Sequence, residues 1–178
     1  MCGIAGIFHI ETAKPVDPER VRRMTDSLVH RGPDGSGVWT APGIGLGHRR
    51  LSIIDLDGSP QPMQTREERY TISFNGEIYN FLELREELAA MGHEFMTSGD
   101  TEVILASWRQ WGAECVSRLH GMFTFAIHDA KEIKDAKAAQ ETDILYRYSH
   151  LLRILPSTFI INGIGHFLVV YELNESFL

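Results

Sequence analysis

The sequence predicts an α+β domain in which helices pack on mostly antiparallel sheets. Three observations support this class: short strand-like segments fill the first part of the chain, two helical segments follow together, and another strand-like segment comes after them. Strands and helices that occur in separate runs are typical of α+β folds. The length of 178 residues and the 43% hydrophobic content suit one buried domain of ordinary size.

The first strand and the first helix have clear local signals. Residues 3–9 (GIAGIFH) are a short apolar run with glycines, as in a buried strand that another backbone approaches. In the next segment, Asp17 suits the N-cap of a helix, Pro18 the first helical position and Gly32 the C-terminal stop. We therefore expect a strand followed by a helix that ends at Gly32.

The middle of the chain continues with strands and then helices. The strand-like segments are SGVWTA, GIGLGHRRLSIID, and YTISF running into NGEIY. Asn80 suits the N-cap of the helix FLELREELAAMG, with Glu83 placed for a capping box. Asp100 and Thr101 introduce the helix TEVILASWRQWG, and GMFTFAIHD then alternates as a strand.

The dipeptide Asn75-Gly76 has two interpretations. Between two strand-like segments, Asn-Gly is a strong hairpin signal, and a type I′ turn would explain it without any chemistry. Alternatively, the side-chain amide and the neighbouring backbone N–H converge to stabilise an oxyanion. The residues alone leave both interpretations open.

Composition excludes several classes of protein. The formal charge of −7 argues against a nucleic-acid-binding face, and the most apolar stretch is too short and too interrupted to span a bilayer. Two cysteines give no disulfide framework, and no secretory signal is visible, so we expect a cytoplasmic protein. The eight histidines form no HxxxH or HExxH pair, and no metal site is predicted.

Three residues are candidates for chemistry on an amino acid. Cys2 stands at a terminus, which serves packing poorly, so a role for its thiol in catalysis competes with an incidental position. An amino-acid substrate presents one carboxylate and one ammonium group, which a fixed Arg50 and a fixed Asp100 could bind. Each of these charges taken singly could equally be a surface residue.

Six segments together resemble a known family. MCGIAGIF, HRGPDGSG, HRRLSIID, FNGEIYN, SGDTEVIL and GMFTFAI occur in the order found in class II glutamine amidotransferases, and most resemble the glutaminase domain of asparagine synthetases. The resemblance covers residues 1–130. It implies an N-terminal-nucleophile hydrolase fold, an α/β/β/α sandwich of two antiparallel sheets, here incomplete at its C-terminus.

The resemblance also implies the roles of individual residues. Removal of Met1 would leave Cys2 as a terminal nucleophile whose own α-amino group accepts the thiol proton, because the two groups have similar intrinsic pKa values. Asn75 and Gly76 would form the oxyanion hole. The remaining implied residues are Arg50, Leu51, Ser52, Ile53, Ile54, Glu77 and Asp100 for binding glutamine, with Arg31, Gly32 and Asp34 in support. The glutaminase step would need no cofactor.

The chain departs from the family after residue 130. Neither the ARDRxGxKPLYY-like strand nor the SGGxDS pyrophosphate loop of the synthetase half occurs, so ATP and Mg would serve only a synthetase half that this sequence lacks. Residues 131–178 read as a helix and then a hairpin around Asn162-Gly163. Three interpretations of this tail stay open: a rearranged end, a segment that completes the sheets, or a docking element for a separate synthetase subunit. The sequence also leaves a homodimer open.

Two functions therefore remain open at the level of sequence. The first is glutamine hydrolysis that supplies nitrogen to an acceptor the sequence does not identify, with asparagine synthesis the commonest for this set of motifs. The alternative is a catalytically inert remnant that binds glutamine or a partner protein.

Overall fold

A computed structural model describes residues 2–9, 14–52 and 60–130, and the backbone of residues 172–173. These residues form two antiparallel sheets with helices on their outer faces, so the predicted α+β class is confirmed. The order of layers is helix, sheet, sheet, helix, as the family resemblance implies.

The first sheet has three strands in the order β1-β3-β2. The strands are β1 (Gly3–Phe8), β2 (Gly35–Ala41) and β3 (Ile44–Arg50), and α1 (Pro18–Asp26) packs on their outer face. Glycines on β3 allow this helix to approach closely: a Cβ added to Gly45 would lie 2.7 Å from a methyl of Val21, which is fully buried. The absence of a side chain at this position therefore sets the distance between α1 and the sheet.

The second sheet has the strand order β4-β5-β6-β7. Its strands are β4 (Met63–Gln64), β5 (Tyr70–Ile78), β6 (Gly121–Asp129) and β7 (Glu172–Leu173). The helices α2 (Phe81–Ala90) and α3 (Asp100–Trp111) cover it, and a 3-10 helix (Gly112–Arg118) leads into β6. The main hydrophobic core lies between this sheet and its helices, and includes Ile72, Phe74, Leu88, Val103, Ile104 and Phe125.

Polar side chains connect the two sheets. On β5 the residues alternate, so that Ile72 and Phe74 belong to the core under the helices while Ser73 projects to the other face. The Ser73 hydroxyl donates to the carbonyl of Gly47 on β3 at 3.3 Å. The layer between the sheets is thus the polar part of the interior, and the predicted site lies at its edge.

The Asn-Gly hairpin interpretation is wrong. Asn75 and Gly76 lie inside the single strand β5, opposite Thr124 and Phe123 of β6. Nine consecutive residues of β6 pair with β5, and this continuous pairing overrides the turn preference of the dipeptide. Gly76 keeps a φ of 146°, and a Cβ there would lie 2.5 Å from the Cα of Phe123. A glycine is required here because β6 passes so close.

Two details of the helices also differ from prediction. The α1 helix begins as predicted, with the Asp17 carboxylate accepting from the Glu19 N–H at 3.0 Å, but it ends at Asp26 and not at Gly32. Residues 27–31 turn, which brings Gly32 against the backbone of β3. Asn80 precedes α2 but does not cap it with its side chain; its amide instead bonds the backbone of Arg118 and His120, both at 2.9 Å.

The predicted helix and hairpin of the tail lie outside the described residues, apart from the backbone of β7. That strand pairs with Met122 and Phe123 at the free edge of β6. Within the described ranges, none of the helices has the length and apolar character needed to cross a bilayer.

Candidate active site

Cys2 immediately precedes β1 and is held against Leu51, the residue that follows β3. Its Sγ accepts a hydrogen bond from the backbone N–H of Leu51 at 3.3 Å and lies 3.6 Å from the Leu51 carbonyl oxygen. The antiparallel pairing of Gly3 with Arg49 fixes the start of β1 relative to this segment. The half-buried thiol is therefore placed by backbone contacts, close to residues 50–52, which the family resemblance implies for binding glutamine.

The HRGPDG loop supports both Cys2 and the segment around Leu51. The Arg31 guanidinium donates from Nε to the Cys2 carbonyl at 3.1 Å. Asp34 accepts from the Ser52 N–H at 2.8 Å through its carboxylate, and its own N–H donates to the Arg50 carbonyl at 3.0 Å.

Gly32 of the same loop packs directly on the strand end. A Cβ at Gly32 would lie 2.6 Å from the Arg50 nitrogen, so only glycine fits. The structure thus brings Arg31, Gly32 and Asp34 together beside Cys2 and residues 50–52.

The direction of the backbone groups on β5 follows from its pairing with β6. Tyr79, just after the strand, donates its N–H to the His120 carbonyl at 2.7 Å, so odd-numbered residues face β6 and even-numbered residues face away. We call the groups that face away the outer edge of β5. On this edge the Ile78 N–H donates to Asp100 Oδ2 at 3.1 Å. The Gly76 N–H points to the same side, and no acceptor for it is recorded among the described residues.

A small cavity joins the nucleophile candidate to β5. It has a volume of about 130 Å³, and Cys2, Arg31 and Asn75 line it together with Thr124. Arg50, Glu77 and Asp100 are not among its lining residues, and Ile53 and Ile54 lie outside the described residues. A larger cavity of about 240 Å³ lies between α1 and β2 and contains none of the predicted site residues.

Asp100 lies at the first turn of α3, where it is buried except for 7% of its surface. Burial raises the pKa of its carboxyl, an effect that the hydrogen bond from the Ile78 N–H opposes. The Glu77 carboxylate raises it further. A bound ammonium group would relieve this penalty, because an opposite charge favours the ionised carboxylate.

Sequence reasoning missed two residues of this region. Thr124 lies opposite Asn75 on β6 and lines the cavity, and its buried hydroxyl has no hydrogen-bond partner among the described residues. Gln61 binds the outer edge of β5 through its side chain. In the sequence, the position of Thr124 between two phenylalanines indicates that its side chain faces away from the core. No pattern in the residues around Gln61 indicates its hydrogen bond to β5.

The second cysteine has the properties of a core residue. Cys115 is fully buried in the 3-10 helix, and burial raises the pKa of its thiol to about 12. In the described part of the chain, no group of three or more His, Cys, Asp or Glu side chains is arranged to hold a metal ion.

The sequence of the chain is similar to those of known proteins. The family model described as "Glutamine amidotransferase domain" matches residues 1–138. Over 129 residues the chain is 48% identical to asparagine synthetase [glutamine-hydrolyzing] 1 of Bacillus subtilis, covering 71% of this chain and 20% of that protein. It is 38% identical over 136 residues to asparagine synthetase B [glutamine-hydrolyzing] of Escherichia coli, covering 76% of this chain and 24% of that protein.

A solved structure shares the fold. Glutamine phosphoribosylpyrophosphate amidotransferase from B. subtilis superposes with a TM-score of 0.58 at 20% identity, over 72% of this chain and 35% of that one. The chain spans about a fifth to a quarter of the length of the curated relatives it matches.

Proposed function

Because this chain belongs to the glutamine amidotransferase family, we propose that it hydrolyses the side-chain amide of glutamine to glutamate and ammonia with Cys2 as the nucleophile. One observation carries the assignment of the nucleophile: the Cys2 thiol is held by the backbone of Leu51 at a cavity that it shares with Asn75. Cys115, with its raised pKa and full burial, has neither the access nor the ionisation that the step needs.

The proposed base is the α-amino group of Cys2 itself, freed by removal of Met1. Arg31 supports this role, since its guanidinium bonds the Cys2 carbonyl and its positive charge disfavours the protonated form of a neighbouring amine. The amine takes the thiol proton as sulfur attacks the amide carbon, and the carbonyl electron pair moves to oxygen. The amine then returns the proton to the leaving nitrogen, ammonia departs, and water hydrolyses the resulting thioester.

The outer edge of β5 offers hydrogen-bond donors for the negative charge that develops on the amide oxygen. The Gly76 N–H points away from β6, and the Asn75 side chain lines the cavity beside Cys2. Two preorganised donors at this point would stabilise the oxyanion more in the transition state than in the ground state.

The length of glutamine matches the spacing along this edge. The N–H groups of Gly76 and Ile78 are two residues apart, or about 7 Å along a strand. In extended glutamine the amide oxygen and the α-amino nitrogen are five bonds apart, which spans about 6 Å. An amide at Gly76 would therefore place its ammonium group beside Asp100, which already accepts from Ile78. Arg50 and Glu77 are the proposed further contacts, with Arg50 binding the substrate carboxylate.

The ammonia released by this reaction needs an acceptor. The named relatives are asparagine synthetases, so we propose that the ammonia serves an asparagine synthetase-like reaction. ATP and Mg would be used in that reaction and not in the hydrolysis. A separate synthetase subunit would then be a partner of this chain.

Release of ammonia and glutamate from the purified protein tests the proposal. The protein is first shown by mass spectrometry to lack Met1. Cys2→Ala is expected to abolish release, and the matched control Cys115→Ala to retain it. A retained N-terminal tag is also expected to abolish release, because it converts the base into an amide. Full activity of the tagged protein contradicts the base, and no product from the processed wild type favours the inert remnant.

A second arm tests the synthetase reaction in the same preparation. Glutamine, aspartate and Mg-ATP are supplied together, and pyrophosphate is measured beside ammonia. Ammonia without pyrophosphate is the expected result for this chain alone. Pyrophosphate that depends on aspartate would show that the chain contains an adenylating activity as well.

A further inference from the structure

The backbone of Phe74, one residue before Asn75, is bound by side chains instead of a neighbouring strand. Phe74 is even-numbered, so both of its backbone groups lie on the outer edge of β5. The strand β4 is only two residues long and pairs with Thr71 and Ile72, so it does not reach this point. Gln61 Oε1 accepts from the Phe74 N–H at 2.6 Å, and His48 Nε2 donates to the Phe74 carbonyl at 2.9 Å.

The other end of the Gln61 amide reaches α3. Its Nε2 donates to the hydroxyl of Thr101 at 3.3 Å, and Thr101 directly follows Asp100 and is buried. One side chain therefore connects the strand that carries Asn75 to the helix that carries Asp100. Those two residues are the ones proposed to contact opposite ends of glutamine.

The backbone of Gln61 is itself fixed by β2. A Cβ added to Gly37 would lie 3.0 Å from the Gln61 carbonyl carbon and 3.1 Å from Cδ of Pro62. This close approach leaves little room for the residue to shift. Gln61 thus has a supported backbone and an amide whose oxygen and nitrogen are both engaged.

We propose that Gln61 is a positioning residue of the active site, which sets the distance between the oxyanion-binding part of β5 and the ammonium-binding carboxylate of Asp100. The inference rests on the proposed glutamine hydrolysis. A substrate that must contact both elements at once is sensitive to their separation, and a displacement near 1 Å can reduce the rate about a hundredfold. Gln61 acts through Phe74 and Thr101 and does not touch the reacting atoms.

Three variants separate hydrogen bonding from packing. Gln61→Met keeps the side-chain length but removes both hydrogen bonds, and Gln61→Glu keeps an acceptor for the Phe74 N–H and for the Thr101 hydroxyl. Gln64→Ala is the matched control, because Gln64 is a nearby exposed glutamine whose side chain has, among the described residues, a single hydrogen bond, a 3.5 Å contact to the Glu68 carbonyl. Activity is measured as glutamate release over a range of glutamine concentrations.

We expect Gln61→Met to lower kcat/KM by about 10- to 100-fold, with KM and kcat both affected because both ends of the substrate are misplaced. Gln61→Glu should recover most of kcat, and Gln64→Ala should stay within about twofold of the wild type. Wild-type kcat/KM in Gln61→Met would overturn the proposal, as would equal losses in Gln61→Met and Gln61→Glu.

Amide hydrogen exchange followed by NMR provides a readout that does not depend on activity. In Gln61→Met, exchange is expected to accelerate at Phe74 and also at Ile78, whose N–H is held by Asp100, while Ile72 beside β4 is unchanged. Acceleration at Phe74 without any change at Ile78 would show that Gln61 does not connect the two elements. If the wild type fails to hydrolyse glutamine, the proposed function fails, and the exchange experiment still decides whether the connection exists.

Discussion

Acidification should destabilise the fold through His48. This side chain is fully buried on β3, and burial lowers its pKa from 6.5 to about 4. The hydrogen bond to the Phe74 carbonyl opposes the effect of burial, and the positive charge of Arg50 adds to it. Because Nε2 donates to a carbonyl, the folded protein holds the neutral imidazole with its proton on that nitrogen.

The direction and the size of this pH effect on the free energy of unfolding follow from the difference between the folded and unfolded pKa values of His48. Between pH 6.5 and about 4 the unfolded chain binds a proton at this position that the folded chain does not, so the free energy of unfolding falls as the pH falls. The full difference between the two pKa values corresponds to about 3 kcal/mol. Burial also lowers the pKa of His128, which acts in the same direction.

The contribution of His48 can be isolated by denaturant unfolding. The wild type and His48→Gln are compared at several pH values between 7 and 4. Glutamine places an amide nitrogen near the position of Nε2 and does not titrate. The wild type is expected to lose about 3 kcal/mol more than the variant over this range. Since other titrating groups are common to both proteins, equal losses would refute the assignment to His48, whatever the absolute stability of the variant.

Three further substitutions or treatments give distinct results. Gly76→Ala should destabilise the protein by about 1–3 kcal/mol in denaturant unfolding, because its φ of 146° and the nearby Cα of Phe123 exclude a side chain; unchanged stability would contradict this. Asp100→Asn should raise KM for glutamine by about 10- to 100-fold with a smaller change in kcat, and a loss confined to kcat would contradict ammonium binding. Iodoacetamide at pH 8 should label Cys2 and spare buried Cys115, so mass spectrometry should find one adduct and not two.

Local sequence patterns predicted the strands and helices, but not every residue at which they end. Strand β1 and the start of α1 were predicted because a short apolar run, the Asp17 cap and Pro18 are properties of short segments. The end of α1 was predicted wrongly, since it depends on where Gly32 packs in three dimensions. The two interpretations of Asn75-Gly76 stayed open for the same reason: pairing with a strand nearly 50 residues later decides its conformation, and a dipeptide carries no information about that partner.

In the candidate site, too, some residues were predicted from the sequence and others were not. The family's motifs pointed to Cys2, Asn75 and Asp100 because those motifs occur in order along the sequence. Gln61 was missed because its bonds to Phe74 and Thr101 span 13 and 40 residues, and such contacts leave no periodicity. Motifs in the sequence thus suggested the residues proposed to bind substrate, whereas the contacts of Gln61 are visible only in the folded chain.

Because β1 pairs with β3, we expect the proposed activity to depend on the number of residues before Phe8. Six successive residues, Gly3–Phe8, are matched one to one with β3, and the thiol directly precedes them. Inserting or deleting one residue within this stretch would move Cys2 by about 3.3 Å or reverse the face occupied by the β1 side chains on one side of the change. Conservative substitutions in β1 should therefore be tolerated far better than single-residue insertions or deletions, a contrast that a mutational scan covering both kinds of change would measure directly.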